Sequence, residues 1–298
     1  MSDEKCFLCP RRCGAARDEF SGAGACHAGT VPVVARAAAH FGEEPCISGS
    51  CGSGAIFFCG CGLGCVFCQN SKISRGVGIG KPVSILQLRD IFRRLEDQDV
   101  HNINLVTASH FAPAVAEALA GIELSVPVIW NSSGYELPET LRMLDGLIDI
   151  YMPDMKYSDP HAAGLYSHAP DYPEIAKAAI AEMYRQTGPF EIDDDEGILQ
   201  KGVLIRHLIM PGETDNTFGV IDWIADSFDP GQVLFSLMAQ YTPMASFPQL
   251  PNLSRSLTQR EYDLCAAYLE ASGISDGYFQ ELSASGEDSI PDFDCTGV

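Results

Sequence analysis

Short apolar runs alternate with segments of helical periodicity along most of the chain. The runs lie at residues 55–58, 103–107, 126–130, 148–152, 203–210 and 233–238. They are continuously apolar rather than alternating, which is typical of parallel strands covered on both faces. The pattern therefore predicts six strands of one parallel sheet.

Amphipathic segments between these runs predict helices. In residues 84–97, Ser84 can cap the first turn and an apolar stripe follows at helical spacing. Pro113 suits the first turn of the next helix, where its missing N–H costs nothing. Further helices are predicted at 173–186, 217–227 and 258–271.

Repeated βα units predict an α/β chain that folds as a partial (β/α)6 TIM-like barrel over residues 53–272. A cysteine-rich metal-binding extension at residues 1–52 is expected to precede the barrel. An acidic, weakly ordered tail at residues 273–298 is expected to follow it. Periodicity alone does not distinguish an incomplete barrel from an open sheet.

The chain is strongly acidic, with 19 Lys+Arg against 40 Asp+Glu and a formal net charge of −21. Such a charge repels phosphate backbones and anionic lipids, so we expect neither a nucleic-acid partner nor a membrane partner. No apolar run reaches the roughly 18 residues of a membrane span, and the polar N-terminus lacks a signal-peptide hydrophobic stretch. We expect a cytoplasmic protein.

Cysteines are concentrated near the N-terminus, where a reducing compartment favours metal or redox chemistry over disulfides. Cys61, Cys65 and Cys68 stand at C-x3-C-x2-C spacing after the first predicted strand, among glycines that permit a tight loop. Iron–sulfur cubanes usually take four cysteines, so three leave one iron open for chemistry. A zinc knuckle with Cys59 or a distant residue as fourth ligand is the alternative.

The segment GAIFFCGCGLGCVFCQN, with Phe67 just before its last cysteine, resembles the signature of the radical S-adenosylmethionine (radical SAM) enzymes. Further stretches, among them CFLCPRRCG, DIYMPDMKY and RHLIMPG, resemble uncharacterised relatives of pyruvate formate-lyase activating enzyme. The resemblance implies that Cys61, Cys65 and Cys68 hold a [4Fe-4S] cluster whose open iron binds SAM. Cys59 replaces the small polar residue expected in such relatives, either as a spectator thiol or as an extra ligand.

The same resemblance implies where SAM is contacted. Thr107 and Ser109, after the second predicted strand, occupy the place of the loop that holds the SAM amino group, although the usual glutamate is absent. Asn131 and Ser132, after the third strand, offer polar groups to the ribose or the carboxylate. An ordinary strand-end turn is the alternative for each of these residues.

Two further strand ends complete the implied site. The resemblance places Met152, Asp154 and Lys156 near SAM and the substrate; an exposed Asp154–Lys156 ion pair is the alternative. Arg206 and His207 point to opposite faces of the fifth strand. We expect Arg206 to face the barrel interior and bind a carboxylate.

A second cysteine set precedes the barrel. Cys6, Cys9, Cys13 and Cys26 form C-x2-C-x3-C-x12-C, a complete tetrahedral set typical of a closed site. Zinc and an auxiliary iron–sulfur cluster both accept four thiolates, so the ligand type does not separate them. Free structural thiols are the alternative.

Together these features predict a radical SAM oxidoreductase that cleaves SAM reductively to a 5′-deoxyadenosyl radical for hydrogen abstraction. The resemblance implies a glycyl-radical enzyme as the partner and flavodoxin or ferredoxin as the reductant. One alternative is a radical SAM enzyme that modifies a small molecule or another peptide. The other is a non-catalytic iron–sulfur or zinc-binding module.

Overall fold

The computed structural model describes residues 5–76, 78–282 and 291–298. Its strands are β1 (Lys5–Cys6), β2 (Ala15–Ala16), β3 (Val33–His40), β4 (Ser53–Phe58), β5 (Lys81–Pro82), β6 (Ile103–Val106), β7 (Val128–Ser132), β8 (Ile150–Pro153), β9 (Glu191–Ile192), β10 (Leu199–Leu208), β11 (Leu234–Met238) and β12 (Gly277–Phe279). Its helices are α1 (Pro45–Ser48), α2 (Ser71–Ser74), α3 (Ile85–Glu96), α4 (Ala112–Ala120), α5 (Pro138–Leu141), α6 (Pro160–Ser167), α7 (Tyr172–Thr187), α8 (Thr214–Ser227) and α9 (Gln259–Ser272).

A ten-stranded sheet organises the fold, in the order β12-β11-β10-β8-β7-β6-β4-β3-β5, with β9 attached to β10. Every neighbouring pair from β4 to β12 in this order is parallel. Strands β3 and β5 add an antiparallel edge beside β4. The predicted α/β architecture is therefore confirmed, and all six predicted strands belong to the parallel run.

The parallel strands enclose a common interior. One end of this interior is closed by an apolar layer, which β7, β8, β10 and β11 contribute and α1 covers. The residues of this layer are Cys46, Ile47, Ile129, Ile150, Met152, Leu199, Leu204 and Leu234. Side chains at the carboxyl ends of the same strands line a cavity described below. Layers of inward-facing side chains are the packing of a TIM-like barrel, and the sheet order ends at β12 and β5, as an incomplete barrel requires.

The helices form where the periodicity predicted them. At the start of α3, Ser84 Oγ accepts a hydrogen bond from the Gln87 backbone N–H, and Gln87 Oε1 accepts one from the Ser84 backbone N–H. This capping box satisfies N–H groups that have no partner within the helix. Among the described helices, none is long and apolar enough to cross a bilayer.

Strand β3 lies inside the segment predicted as a separate cysteine-rich extension. Its sequence VVARAAAH has four alanines, which are depleted in strands. Antiparallel pairing with β4, from Val34 opposite Phe58 to His40 opposite Ser53, overrides that weak preference. The extension therefore contributes a strand to the barrel sheet.

Part of the predicted tail also returns to the sheet, while residues 283–290 lie outside the described residues. The Ala37 N–H donates to the Thr296 carbonyl at 2.9 Å, and the Cys295 N–H donates to the Ala35 carbonyl at 2.9 Å. Arg36 pairs with Asp294 at 3.3 Å. These bonds hold residues 291–298 on β3 despite their polar composition, so the expectation of weak order does not apply to them.

Replacing Ser84 by Ala removes the acceptor that caps α3. We expect the free energy of unfolding to fall by about 1 kcal/mol. Urea denaturation followed by circular dichroism measures the change. Ser84→Thr, which keeps the hydroxyl, is the control and should retain most of the stability; equal losses in both variants would contradict a role for the cap.

Candidate functional site

A cavity of about 240 Å³ lies at the carboxyl ends of the parallel strands. Phe58, Val106, Ser132, Leu208 and Met238 line it from five different strands. In TIM-like barrels this end of the sheet carries the active site, because the loops that follow the strands converge there.

The loop between β4 and α2, residues 59–70, brings three cysteines to this cavity, and we call it the cluster loop. Cys61, Cys65 and Cys68 all line the cavity. Gly60 and Gly64 have φ angles of +88° and +69°, which glycine adopts without strain. The glycine-rich sequence therefore lets one short loop turn three thiols toward the same space.

Cys65 is buried in the cluster loop, and Cys61 and Cys68 are half-buried close to it. Burial raises the pKa of Cys65 to about 12; Lys156 opposes this shift, whereas Cys68 and Cys61 add to it. The Ser167 hydroxyl donates a hydrogen bond to Cys65 Sγ at 3.0 Å. Buried thiols of this kind ionise when a cation stabilises the thiolate, which is what an iron–sulfur cluster provides.

This donor set fits a [4Fe-4S] cluster with one iron left open. The described lining of the cavity contains three cysteines. Cys59 is fully buried outside that lining, with its Sγ against Gly80, where an added Cβ would lie only 2.6 Å away. Among the described residues, no three His, Cys, Asp or Glu side chains are arranged to hold a single metal ion.

Arg206 connects several parts of the barrel in the layer below the cluster loop. Its guanidinium donates to Glu43 Oε2 at 2.8 Å, to Asp154 Oδ1 at 3.2 Å and to Asn131 Oδ1 at 2.8 Å. Glu44 Oε2 is 3.9 Å from Nη1 of the same group. Arg206 faces the interior and pairs with carboxylates of the protein itself, so its role in binding a ligand carboxylate stays a prediction.

Charge pairing governs the ionisation of this layer. Burial alone would raise the pKa of Asp154, but Lys156 and Arg206 outweigh it and lower that pKa. Burial raises the pKa of Glu44, with Arg206 opposing the shift. Lys156 Nζ lies 2.5 Å from Asp154 Oδ2, and both side chains are largely buried, so this pair is not the exposed ion pair considered above.

The structure brings most of the predicted SAM-contacting residues to one place. Those that line the cavity are Phe67, Thr107, Asn131, Ser132, Asp154, Lys156 and Arg206. Thr107 has a φ of +61°, which is unusual for a β-branched residue. A strained backbone conformation of this kind persists where the surrounding structure holds it, often at a functional site. At Thr107 this conformation directs the chain after β6 toward the cavity.

Ser109 and Met152 are not brought to the cavity. Ser109 Oγ donates a hydrogen bond to Glu136 Oε1 at 2.5 Å, outside the lining of the cavity. The same carboxylate oxygen accepts a hydrogen bond from Trp130 Nε1. Met152 faces the interior but lies in the apolar layer at the closed end. The resemblance placed Met152 near SAM, but the depth of each position within the barrel depends on the curvature of the sheet.

Glu43 and Glu44 are two acidic residues of the site that sequence analysis missed. Glu43 lines the cavity and accepts hydrogen bonds from Asn104 Nδ2 and Asn131 Nδ2, each at 3.2 Å, besides pairing with Arg206. Their sequence signal is two adjacent acids directly before Pro45 and the apolar turn of α1. Only the fold shows that this turn closes the barrel and carries both acids inside.

Two of the four N-terminal cysteines, Cys9 and Cys26, lie beside the cluster loop. Cys6 belongs to β1 of a small hairpin, and Cys9 and Cys13 follow it before β2. A Cβ added at Gly62 would lie 3.4 Å from Cys9 Sγ. We call Cys6, Cys9, Cys13 and Cys26 the N-terminal cysteine site; its occupant is taken up below.

The fold and cavity define a barrel protein with three thiols at the carboxyl ends of its strands, and comparison with known proteins gives its family. Residues 55–223, more than half of the chain, match the Radical SAM superfamily. The chain belongs to this superfamily. It is also 30% identical over 235 residues to the uncharacterized protein MJ0674 of Methanocaldococcus jannaschii. That match covers 75% of this chain and 63% of the relative, so the chain spans less than two thirds of the relative's length.

Solved structures show more distant likeness. The chain in the crystal structure of Streptococcus suis SuiB bound to S-adenosylmethionine is 14% identical in sequence, and the match has a TM-score of 0.43. The match covers 74% of this chain and 45% of the SuiB chain. A domain of pyruvate-formate lyase-activating enzyme from Bacteroides vulgatus is 13% identical in sequence, with a TM-score of 0.34. That match covers 67% of this chain and 96% of the Bacteroides domain.

Replacing Arg206 by Gln leaves Glu43, Glu44 and Asp154 without their shared counter-charge. Because one partner of a buried ionic network is lost, we expect the free energy of unfolding to fall by roughly 3–5 kcal/mol. Chemical denaturation measures this loss. The control is Lys201→Gln, whose exposed ion pair with Glu191 should contribute little; similar losses in both variants would contradict the network.

His207, on the opposite face of β10, predicts a pH dependence. Its Nδ1 lies 2.6 Å from the Met155 carbonyl and its Nε2 lies 2.9 Å from Thr217 Oγ1. Burial lowers its pKa from 6.5 to about 4. The unfolded chain therefore binds the proton first, and stability that is complete above pH 6.5 is lost as the pH falls toward 4.

At pH 5 this loss should reach about 2 kcal/mol relative to pH 7. Urea denaturation at both pH values measures it, and His207→Gln should lack this part of the pH dependence. His161→Gln serves as the control because His161 is exposed. An unchanged pH profile in His207→Gln would show that another group is responsible.

Proposed function

We propose that this protein is a radical SAM enzyme that cleaves SAM reductively and abstracts a hydrogen atom from a substrate. The observation that carries the proposal is that three cysteines of one loop line a cavity at the carboxyl ends of the barrel strands. When bound by Cys61, Cys65 and Cys68, a [4Fe-4S] cluster supplies the electron that converts SAM to methionine and a 5′-deoxyadenosyl radical.

The chain itself binds and orients SAM. Lys156 and Arg206 supply the positive charge for the SAM carboxylate, because each lines the cavity and keeps its proton beside Asp154. Asn131 and Ser132 offer amide and hydroxyl groups to the ribose or the carboxylate. The backbone at Thr107 lines the cavity and offers hydrogen-bond acceptors to the SAM amino group.

The apolar wall has a separate role in this proposal. Phe58, Phe67, Leu208, Met210 and Met238 line the cavity around its polar groups. They exclude water, which would otherwise compete for the polar groups that orient SAM, and they limit side reactions of a radical.

We propose that the N-terminal cysteine site holds a second metal centre, either zinc or an iron–sulfur cluster. Four thiols and a hairpin with little core of its own support this, since metal binding would fold the segment. The partners are proposals as well. The resemblance supplies a glycyl-radical enzyme as hydrogen donor and flavodoxin or ferredoxin as reductant, and modification of a small molecule or another peptide is the alternative.

Anaerobic reconstitution with iron and sulfide, followed by reductant and SAM, tests the proposed function. We expect 5′-deoxyadenosine to accumulate, as measured by liquid chromatography and mass spectrometry. Cys65→Ala should abolish the product, because it removes one of three cluster ligands. Cys51→Ala, at an exposed cysteine outside the cavity, is the matched control and should retain activity.

A cluster that binds SAM without forming 5′-deoxyadenosine under reduction would favour a non-catalytic iron–sulfur module. Zinc alone at Cys61, Cys65 and Cys68 would remove the proposal altogether. Once cleavage is established, the hydrogen donor is found by deuterium transfer into 5′-deoxyadenosine. Deuterium transfer from a backbone glycine of an added partner enzyme supports activation of a glycyl-radical enzyme. Deuterium transfer from a small molecule supports the alternative.

A further inference from the structure

A hydroxyl group from outside the cluster loop reaches one of its three sulfurs. Ser167 is the last residue of α6, and its side chain is fully buried. Its Oγ donates a hydrogen bond to Cys65 Sγ at 3.0 Å, although the two residues are 102 positions apart in the sequence. Cys61 Sγ, by contrast, accepts a hydrogen bond from the Leu63 backbone N–H at 3.4 Å, within the loop itself. Of these two contacts, the one to Cys65 comes from a side chain and can be removed by substitution.

Tyr157 completes a chain of hydrogen bonds that ends at this sulfur. Its hydroxyl oxygen lies 2.7 Å from Ser167 Oγ, and its side chain is also fully buried. A cysteine that binds iron is a thiolate, so Cys65 Sγ can then only accept. Since a serine hydroxyl carries a single hydrogen, the hydrogen between Tyr157 and Ser167 must come from the tyrosine. The chain therefore runs in one direction, from Tyr157 through Ser167 to Cys65, and each bond polarises the next.

Backbone contacts hold Ser167 opposite Cys65. The Val66 N–H, next to Cys65 in the cluster loop, donates to the Tyr166 carbonyl at 2.9 Å. Arg11 Nη2 donates to the Ser167 carbonyl at 2.7 Å and to a carbonyl of the cluster loop at 2.9 Å, so one guanidinium joins the end of α6 to this loop. The position of the Ser167 hydroxyl is therefore set by contacts on both sides of Cys65.

The direction of these hydroxyl dipoles matters because reduction changes the charge of an iron–sulfur cluster. One added electron places more negative charge on the cysteine sulfurs, and hydrogen bonds to those sulfurs stabilise that charge. Ser167 and Tyr157 lie away from water, where such a dipole acts more strongly than it would in solvent. The two hydroxyls therefore stabilise the reduced state more than the oxidised state.

We propose that Ser167, oriented by Tyr157, raises the reduction potential of the cluster bound by Cys61, Cys65 and Cys68. The inference rests on the proposed function, since it needs a [4Fe-4S] cluster in the cavity. That cluster has to reduce SAM and still accept an electron from flavodoxin or ferredoxin, and Ser167 acts on the second requirement. One electron leaves the external donor and enters the cluster. Both hydroxyl hydrogens stay on their oxygens, and no covalent bond forms or breaks.

Replacing Ser167 by Ala tests the hydrogen bond to Cys65. Electron paramagnetic resonance of the anaerobically reconstituted protein, poised at a series of potentials without SAM, measures the midpoint potential of the cluster. We expect a more negative midpoint, with the equilibrium constant for reduction lowered about tenfold, which is about 59 mV for a one-electron couple. Ser53→Ala is the control, because Ser53 is equally buried and its Oγ donates to Asn102 Oδ1. An unchanged midpoint in Ser167→Ala, or an equal shift in Ser53→Ala, would overturn the inference.

Tyr157→Phe tests the orienting role, and it decides the question if Ser167→Ala binds no cluster. Phenylalanine keeps the ring and the Ser167–Cys65 bond but removes the hydrogen donated to Ser167, so the midpoint should shift less, in the same direction. Tyr151→Phe is the control, because it removes a buried hydroxyl that donates to Gln186 Oε1 outside the cavity lining. A midpoint equal to wild type in Tyr157→Phe contradicts the orienting role, and it overturns the inference where Ser167→Ala binds no cluster.

Three outcomes separate the inference from the proposed function. If 5′-deoxyadenosine forms but neither variant changes the potential, the inference is wrong and the proposed function stands. If the potential shifts as expected but no 5′-deoxyadenosine forms, the inference stands and the proposed cleavage of SAM is wrong. Wild-type protein that binds no iron–sulfur cluster at Cys61, Cys65 and Cys68 contradicts both.

Discussion

The buried guanidinium of Arg206 is the interaction on which the interior of the barrel depends. It joins β10 to Asp154 at the end of β8, to Asn131 on β7 and to Glu43 in the segment before α1. Each carboxylate in this layer would be costly to bury without a counter-charge. Arg206 lies among three acids, one of which, Asp154, also pairs with Lys156, and it holds the polar layer together between the apolar closed end and the cavity. It also fixes the side chains that face SAM in the proposed function.

A second constraint acts on the cluster loop from outside the barrel. Arg11 donates a hydrogen bond to the Gly62 carbonyl, and Cys26 and Cys9 pack against Gly60 and Gly62. The loop therefore contacts the cavity on one side and the N-terminal segment on the other. The glycines of this loop therefore have two uses. Gly60 and Gly64 supply positive φ angles, and Gly60 and Gly62 allow another segment to approach closely. Sequence analysis identified the first use only.

Prediction from sequence succeeded where the signal is local. The six apolar runs, the cap at Ser84 and the spacing of Cys61, Cys65 and Cys68 each depend on residues within a few positions of one another. It failed for β3, whose alanines carry no strand signal until β4 lies beside them. The polar residues at 291–298 likewise gave no indication of the backbone hydrogen bonds that tie them to β3.

The amino-acid sequence by itself determined the alternation of strands and helices, the three-thiol loop and the face on which Arg206 lies. Each of these follows from the period of a strand or helix, or from the conformations that glycine permits. Tertiary structure alone decided how deep each inward residue lies, so that Lys156 lines the cavity while Met152 lies in the closed end. It also brought Glu43 to Arg206 and Cys9 to Gly62, because the curvature of a sheet and the contacts of distant segments are properties of the whole chain, and no local pattern encodes them.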